Sequence, residues 1–217
     1  MAEVDGTFLD ERYAQAIFNK LNSYINNKIG TSALMGNLCA ESCLTPYRVQ
    51  GELSHDAEIS MRYAMAVCNG EYTLEEFLRA PYFEGVQYAK GFGLAQWTTD
   101  GRKAGLYNHR IDNGFSDFGV DCTCTYLIAE LESGYTSTRD VLQNATNLRT
   151  ASDFVLRHFE APADQSEAVQ IHRATIGQYI YDNYSDGEPT PPTPPTPPTP
   201  ADRTRWGVFE YLGLLYR

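Results

Sequence analysis

A single glutamate follows directly on the most apolar helix this sequence can form. The run Ala33-Leu34-Met35-Gly36-Asn37-Leu38-Cys39-Ala40 is apolar nearly all the way round, and Glu41 comes next. A helix of that kind belongs at the centre of a domain. A carboxyl group at its C-terminal end feels two effects of the same sign. Desolvation disfavours the anion, and so does the partial negative charge of the helix terminus. A carboxyl that still holds a proton near neutrality can give it to a glycosidic oxygen, so Glu41 is a candidate general acid. A simple salt bridge to a neighbour is the other role open to it. Ser42, Leu44, Thr45 and Pro46 are expected to stop the helix and leave Glu41 facing a cleft.

A second segment with chemical promise is Gly91-Phe92-Gly93-Leu94-Ala95-Gln96-Trp97-Thr98, followed by Arg102. Its glycines let the backbone approach a ligand. Gln96 offers both a donor and an acceptor to a sugar amide or a water, and Trp97 offers a flat face for a pyranose ring. Thr98 joins them as a positioning hydroxyl. The same residues would also make a hairpin around a core tryptophan. A phosphate loop is excluded, because the third glycine and the following Lys-Ser/Thr are missing.

A glycosidase that hydrolyses with one acid needs a second carboxylate, about 5 Å away as a nucleophile or about 6.5 to 9.5 Å away as a base for water. Glu52, Asp56, Glu58 and Asp100 are the candidates. Asp56 is favoured because Gly51-Glu52-Leu53-Ser54-His55-Asp56 is a polar stretch soon after the acid, although Ser54 or Asp56 would serve equally as an N-cap for the helix through Met61 and Tyr63. Without a second carboxylate, one glutamate can act as acid and then base while a hydroxyl of the sugar attacks. The product is then that of a lytic transglycosylase. Tyr47, His55 and Tyr126 complete the candidate substrate-binding set, against the plainer readings of His55 as a loop residue and Tyr126 as core.

The elements that must position these groups read as mainly α. Phe8, Tyr13, Ala16, Ile17, Leu21 and Ile25 follow a helical period, and Thr73 with Glu76 makes a capping box ahead of Phe77. Similar stripes run over 127–131, 141–148, 154–159 and 168–184. Strand-like alternation is scarce, so any sheet is small, with a short hairpin or ordered loop expected over 87–97. The chain divides into a catalytic domain at 1–186, a Thr/Pro-rich linker at 187–200 and an aromatic, apolar segment at 201–217. The linker repeats Thr-Pro-Pro three times and should be an extended, stiff spacer.

Composition narrows the partners. The 28 acidic residues outnumber the 17 basic ones, for a net charge of −11. That excludes a nucleic-acid surface, which would need clustered Lys and Arg. The N-terminus carries acids and no apolar run, so no secretory signal is expected and the chain is expected to be made in the cytosol. No run is long and apolar enough to span a bilayer. Five cysteines in a chain of this size fit reduced, mostly buried thiols better than a disulfide framework, and their spacing does not suit zinc. No cofactor or metal is expected.

Taken together, Met35-Gly36-Asn37-Leu38-x-Ala40-Glu41-Ser42-x-Leu44 and Gly91 to Thr98 with Arg102 resemble the phage tail-type lysozyme family, domains found in phage tail proteins and endolysins. The likeness continues through Tyr63, Val67, Asn69 and Gly70 to Ala151, Ser152, Phe154 and Phe159-Glu160-x-Pro162, so it covers most of 10–185. It implies a lysozyme-like fold and cleavage of the β-1,4 bond between N-acetylmuramic acid and N-acetylglucosamine of peptidoglycan, with the glutamate after the buried helix as acid. It also implies action on the bacterial wall, after release from the host cytosol or as part of a phage particle. Cys39, Cys43 and Cys68 depart from the family pattern, with Cys43 standing where a glycine is expected. Two other classes compete. One is a cysteine peptidase pairing a thiol with His55, His109, His158 or His172, and the other is a non-catalytic wall-binding or tail module. Residues 201–217 could carry membrane binding or self-association.

Overall fold

A computed structural model describes residues 1–52, 54 and 57–186. His55, Asp56, the linker at 187–200 and the segment 201–217 lie outside the described residues, as does the domain division drawn there. Within the described part the protein is mainly α, with two small sheets.

The chain opens with an antiparallel hairpin, β1 (Ala2–Val4) and β2 (Thr7–Leu9), closed by Asp5 and Gly6 with φ of 48° and 76°. Positive φ at both central residues gives the turn the right-handed twist of its strands. His172 latches the hairpin to the last helix through Asp5 and Thr7, each at 2.9 Å. Asp10 then caps α1 (Glu11–Ile25), whose buried stripe includes Tyr13, Ile17, Leu21 and Ile25.

The apolar run becomes α2 (Lys28–Ser42), buried from Gly30 to Cys39 without a polar face. It ends at Cys43, which adopts the left-handed φ of 57° and donates its N–H to the carbonyl of Cys39. A left-handed cap closes the helix in the way glycine usually does. Next come α3 (Glu58–Cys68) and α4 (Leu74–Leu78), with the Thr73–Glu76 capping box in place. Glu52 serves the start of α3: its carboxylate accepts from the N–H groups of Ile59 and Ser60 at 3.0 and 2.9 Å and from the hydroxyls of Ser54 and Ser60.

A second hairpin, β3 (Tyr82–Phe83) and β4 (Val86–Gln87), lies just before the loop at 91–97. Its neck is tied by the buried Lys103, whose ammonium donates to the carbonyls of Arg79 and Lys90 at 3.4 and 3.0 Å and sits 4.6 Å above the ring of Phe77. Helices α5 (Asp100–Asp112), α6 (Val120–Ser133), α7 (Thr136–Gln143), α8 (Leu148–Val155) and α9 (Glu167–Tyr184) complete the domain. The apolar stripe at 141–148 is therefore not one helix: it breaks between α7 and α8, where Asn147 caps the second of them.

Helix α2 is the hub. Its Gly30 rests on the backbone of Leu142, and its Gly36 rests on α9, where an added Cβ would lie 2.4 Å from the Arg173 carbonyl oxygen and 2.8 Å from the Gly177 Cα. Asn37 bonds the carbonyl and hydroxyl of Ser152 at 3.3 and 3.0 Å, so α8 is fastened to the same turn.

Candidate functional site

The close crossing at Gly36 determines what stands beside Glu41. With α9 this near, the Arg173 side chain runs along α2, placing one amino group 3.3 Å from the Asn37 carbonyl and the other 2.5 Å from Glu41 Oε1. Arg173 is 8% exposed and Glu41 24%. The acid candidate thus stands at the end of the buried helix, in limited contact with water, and carries the salt bridge that the residues left open as its other role. Arg173 on the neighbouring helix sets a positive charge directly against it.

A second carboxyl lies within electrostatic reach of this pair. After α8 the chain makes one π-helical turn, Leu156–Glu160, closed by the Ala161 N–H donating to the Leu156 carbonyl at 2.8 Å, with Ala161 at a left-handed φ of 47°. A single π turn followed by a strained residue is a common device for aiming a functional side chain. Here it turns Glu160 inward. Its Oε1 is sealed from water with no hydrogen-bond partner. Burial first, then the charge of Glu41, push the Glu160 carboxyl up to about 8, with Glu130 adding to the rise and Arg173 and Arg102 opposing it.

Arg102 connects this centre to the second motif. Its guanidinium packs against the rings of Phe159 and Tyr135, 4.8 and 5.3 Å from their centroids, and makes a two-bond pair with Glu130 at 2.7 and 2.9 Å. Glu130 also accepts the indole N–H of Trp97 at 2.7 Å. Three carboxyl groups, Glu41, Glu160 and Glu130, therefore converge with two guanidinium groups, Arg102 and Arg173.

Several predicted residues have other duties. Trp97 is fully buried and has no face to offer a sugar, because the indole is consumed by Glu130 and by edge contact with Tyr126 at 5.2 Å. Gln96 is 9% exposed, with a left-handed φ of 46°. Its amide donates to the carbonyls of Arg48 and Gly93, both at 3.0 Å, which closes the loop rather than leaving a donor for a ligand. Val49, Phe92 and Trp97 are bridged in antiparallel fashion, so the expected ordered loop exists as a small, rigid one. Thr98 is exposed beside it. Tyr47 is half-buried, its hydroxyl 2.5 Å from that of Tyr13. Tyr126 donates to the Arg102 carbonyl at 2.8 Å and lines, with Arg102, Glu130 and Tyr135, a cavity of 260 Å³.

Among the described candidates for a second carboxylate, Glu52 caps α3, Glu58 pairs with Arg62, and Asp100 is exposed and pairs with Lys90. Glu160 was not among them. Its only sequence signal was its place in the segment Phe159 to Pro162, because nothing local says that it comes within electrostatic reach of Glu41.

Four of the five thiols give the cysteine-peptidase reading no support. Burial pushes the thiols of Cys39, Cys43, Cys122 and Cys124 up, that of Cys122 to about 12, away from the thiolate a nucleophile requires. His109 bonds Thr125, His158 packs on Phe154, and His172 is spent on the hairpin. No helix among the described residues is long and apolar enough to cross a membrane.

No curated protein matches the chain. The sequence pattern of the phage tail lysozyme family matches residues 12–184, a span holding Glu41, Arg102, Glu130, Glu160 and Arg173, and the chain belongs to that family.

Proposed function

We propose that this domain hydrolyses the β-1,4 bond between N-acetylmuramic acid and N-acetylglucosamine, with Glu41 as the general acid. Membership of a lysozyme family gives the coarser function, lysis of peptidoglycan on the bacterial wall or from a phage particle. The observation that carries the finer reading is Glu41 itself: a carboxyl at the end of the buried helix, 24% exposed, with Arg173 against one oxygen. Glu41 gives its proton to the glycosidic oxygen as the C1–O bond breaks, and Arg173 stabilises the carboxylate left behind. A water then supplies the hydroxyl that adds to C1 and gives its other proton to the base, which passes it to solvent, while Glu41 takes up a proton from solvent for the next turnover. Asp56 remains the proposed base for that water, and Tyr47, Thr98 and Tyr126 the described candidates for contact with the glycan.

Purified wild type and Glu41→Gln, compared by zymography and by release of soluble fragments from peptidoglycan, test the reading. Loss of an acid of this kind lowers the rate by about 10²- to 10⁴-fold. Full activity in the variant would refute it. A lytic transglycosylase is the second reading, favoured by the prior engagement of Glu52, Glu58 and Asp100. Mass spectrometry of the fragments decides, since a hydrolase leaves reducing ends and a transglycosylase leaves anhydro-sugars.

A further inference from the structure

We propose that the N-terminal hairpin is a positioning strap for the Glu41–Arg173 pair, with His172 and Asp10 as its two fastening residues. The inference rests on the reading of Glu41 as acid. Glu41 and Arg173 come from different helices, α2 and α9, and meet through one contact at 2.5 Å. Chain order does nothing to keep them in register, because 132 residues separate the two. The hairpin and the residue that follows it touch both helices beside the pair.

On the α9 side the fastening is His172, the residue just before Arg173. Both of its ring nitrogens are engaged, Nδ1 by the Asp5 carboxylate and Nε2 by the Thr7 hydroxyl, each at 2.9 Å. Asp5 sits in the hairpin turn with a left-handed φ of 48°, and Thr7 opens β2, so one imidazole grips turn and strand at once. A side chain held at two points has little rotamer freedom left, and the backbone that carries Arg173 is held with it. On the α2 side the second strand runs past the last turn of the acid's helix. The Cys39 thiol donates to the Phe8 carbonyl at 3.7 Å, and the Asp10 N–H donates to the Cys43 carbonyl at 2.8 Å. The buried Asp10 carboxylate also accepts from the Thr45 hydroxyl at 3.4 Å. These contacts bracket Glu41. They also restrain a helix exit made of two consecutive left-handed residues, Cys43 and Leu44, with φ of 57° and 60°. Neither is glycine, so the exit is a strained conformation that persists only while its surroundings hold it.

The test separates fastening from folding. His172→Phe keeps a ring and removes both hydrogen bonds, whereas His172→Gln restores a donor and an acceptor. Asp10→Ser keeps a capping oxygen for α1 but falls short of Thr45, whereas Asp10→Asn keeps the cap and the reach. For cleavage of soluble peptidoglycan strands, kcat per folded molecule should fall about tenfold in His172→Phe and in Asp10→Ser, with KM within about twofold of wild type. The Gln and Asn variants should recover most of the loss. A purely structural role would lower the folded fraction and leave kcat per folded molecule alone, so unchanged kcat in either variant, or no recovery, overturns the strap. A second measurement needs no activity. The coupling between Glu41→Gln and Arg173→Gln, read from a double-mutant cycle in denaturant unfolding, should shrink by about half or more when His172→Phe is the background. Undiminished coupling would also overturn the proposal. If wild type does not cleave peptidoglycan, the function proposed above fails, and the coupling measurement still decides the strap.

Discussion

Gly36→Ala tests whether the crossing of α2 and α9 is what sets the active pair. A Cβ at this position would stand 2.4 Å from the Arg173 carbonyl oxygen and 2.7 Å from the Gly177 nitrogen, and both are backbone atoms that no rotamer change can move. Ordinary contact begins near 3.4 Å, so α9 must back away by about 1 Å, a strain of the kind that costs about 1 to 3 kcal/mol in a packed core. Opposing it is the higher helix propensity of alanine, about 1 kcal/mol. The net expectation is a loss of about 0 to 2 kcal/mol. A retreat of about 1 Å would also open the 2.5 Å contact of Arg173 with Glu41 beyond hydrogen-bond range. Activity should then fall by more than the folded fraction does. Gly101→Ala is the internal control, since its Cβ meets nothing within 4 Å and it should gain about 0.5 to 1 kcal/mol from propensity alone. Denaturant unfolding and fragment release, measured on both variants, decide the matter. If Gly36→Ala is stabilised like Gly101→Ala, the close crossing does not hold the site.

Two further substitutions follow from the same geometry. Cys43→Gly places glycine where the chain already adopts φ of 57°, and should raise stability by about 1 kcal/mol in chemical denaturation. Unchanged or lowered stability would show the thiol to be worth more than the relief of strain. Trp97→Phe removes the indole donor from buried Glu130, and should lower stability by about 1 to 3 kcal/mol while leaving KM close to wild type. A change in KM at constant stability would restore the tryptophan as a sugar platform.

Legibility followed the range of the interactions. The buried helix ending in Glu41, the stripe of α1 and the capping box of α4 could be read because each is a pattern within one or two turns. The first hairpin was passed over although Asp5-Gly6 is a strong turn signal, because its strands of three residues are too short for alternation to register. Trp97 stayed open between a sugar platform and a core residue for a different reason. An aromatic shortly after paired glycines fits either role, and what distinguishes them is Glu130, thirty-three residues on, which accepts its N–H. Arg173 lies 132 residues from Glu41 and nothing in its own helix marks it out. Glu160 had only its place in the segment Phe159 to Pro162, since nothing local says that packing will seal its carboxyl from water.

The tied neck of the second hairpin has a consequence for how this protein can change. Lys103 fastens the chain at Arg79 and at Lys90, so the excursion between those points begins and ends at fixed stations. Its bend, Glu84-Gly85, points outward, flanked by the exposed Tyr82 and Val86. Lengthening an already closed excursion is inexpensive, about 0.6 kcal/mol for each doubling. An insertion at that bend can therefore add new surface, and with it new targets, while Lys103 keeps both ends of the excursion where they are.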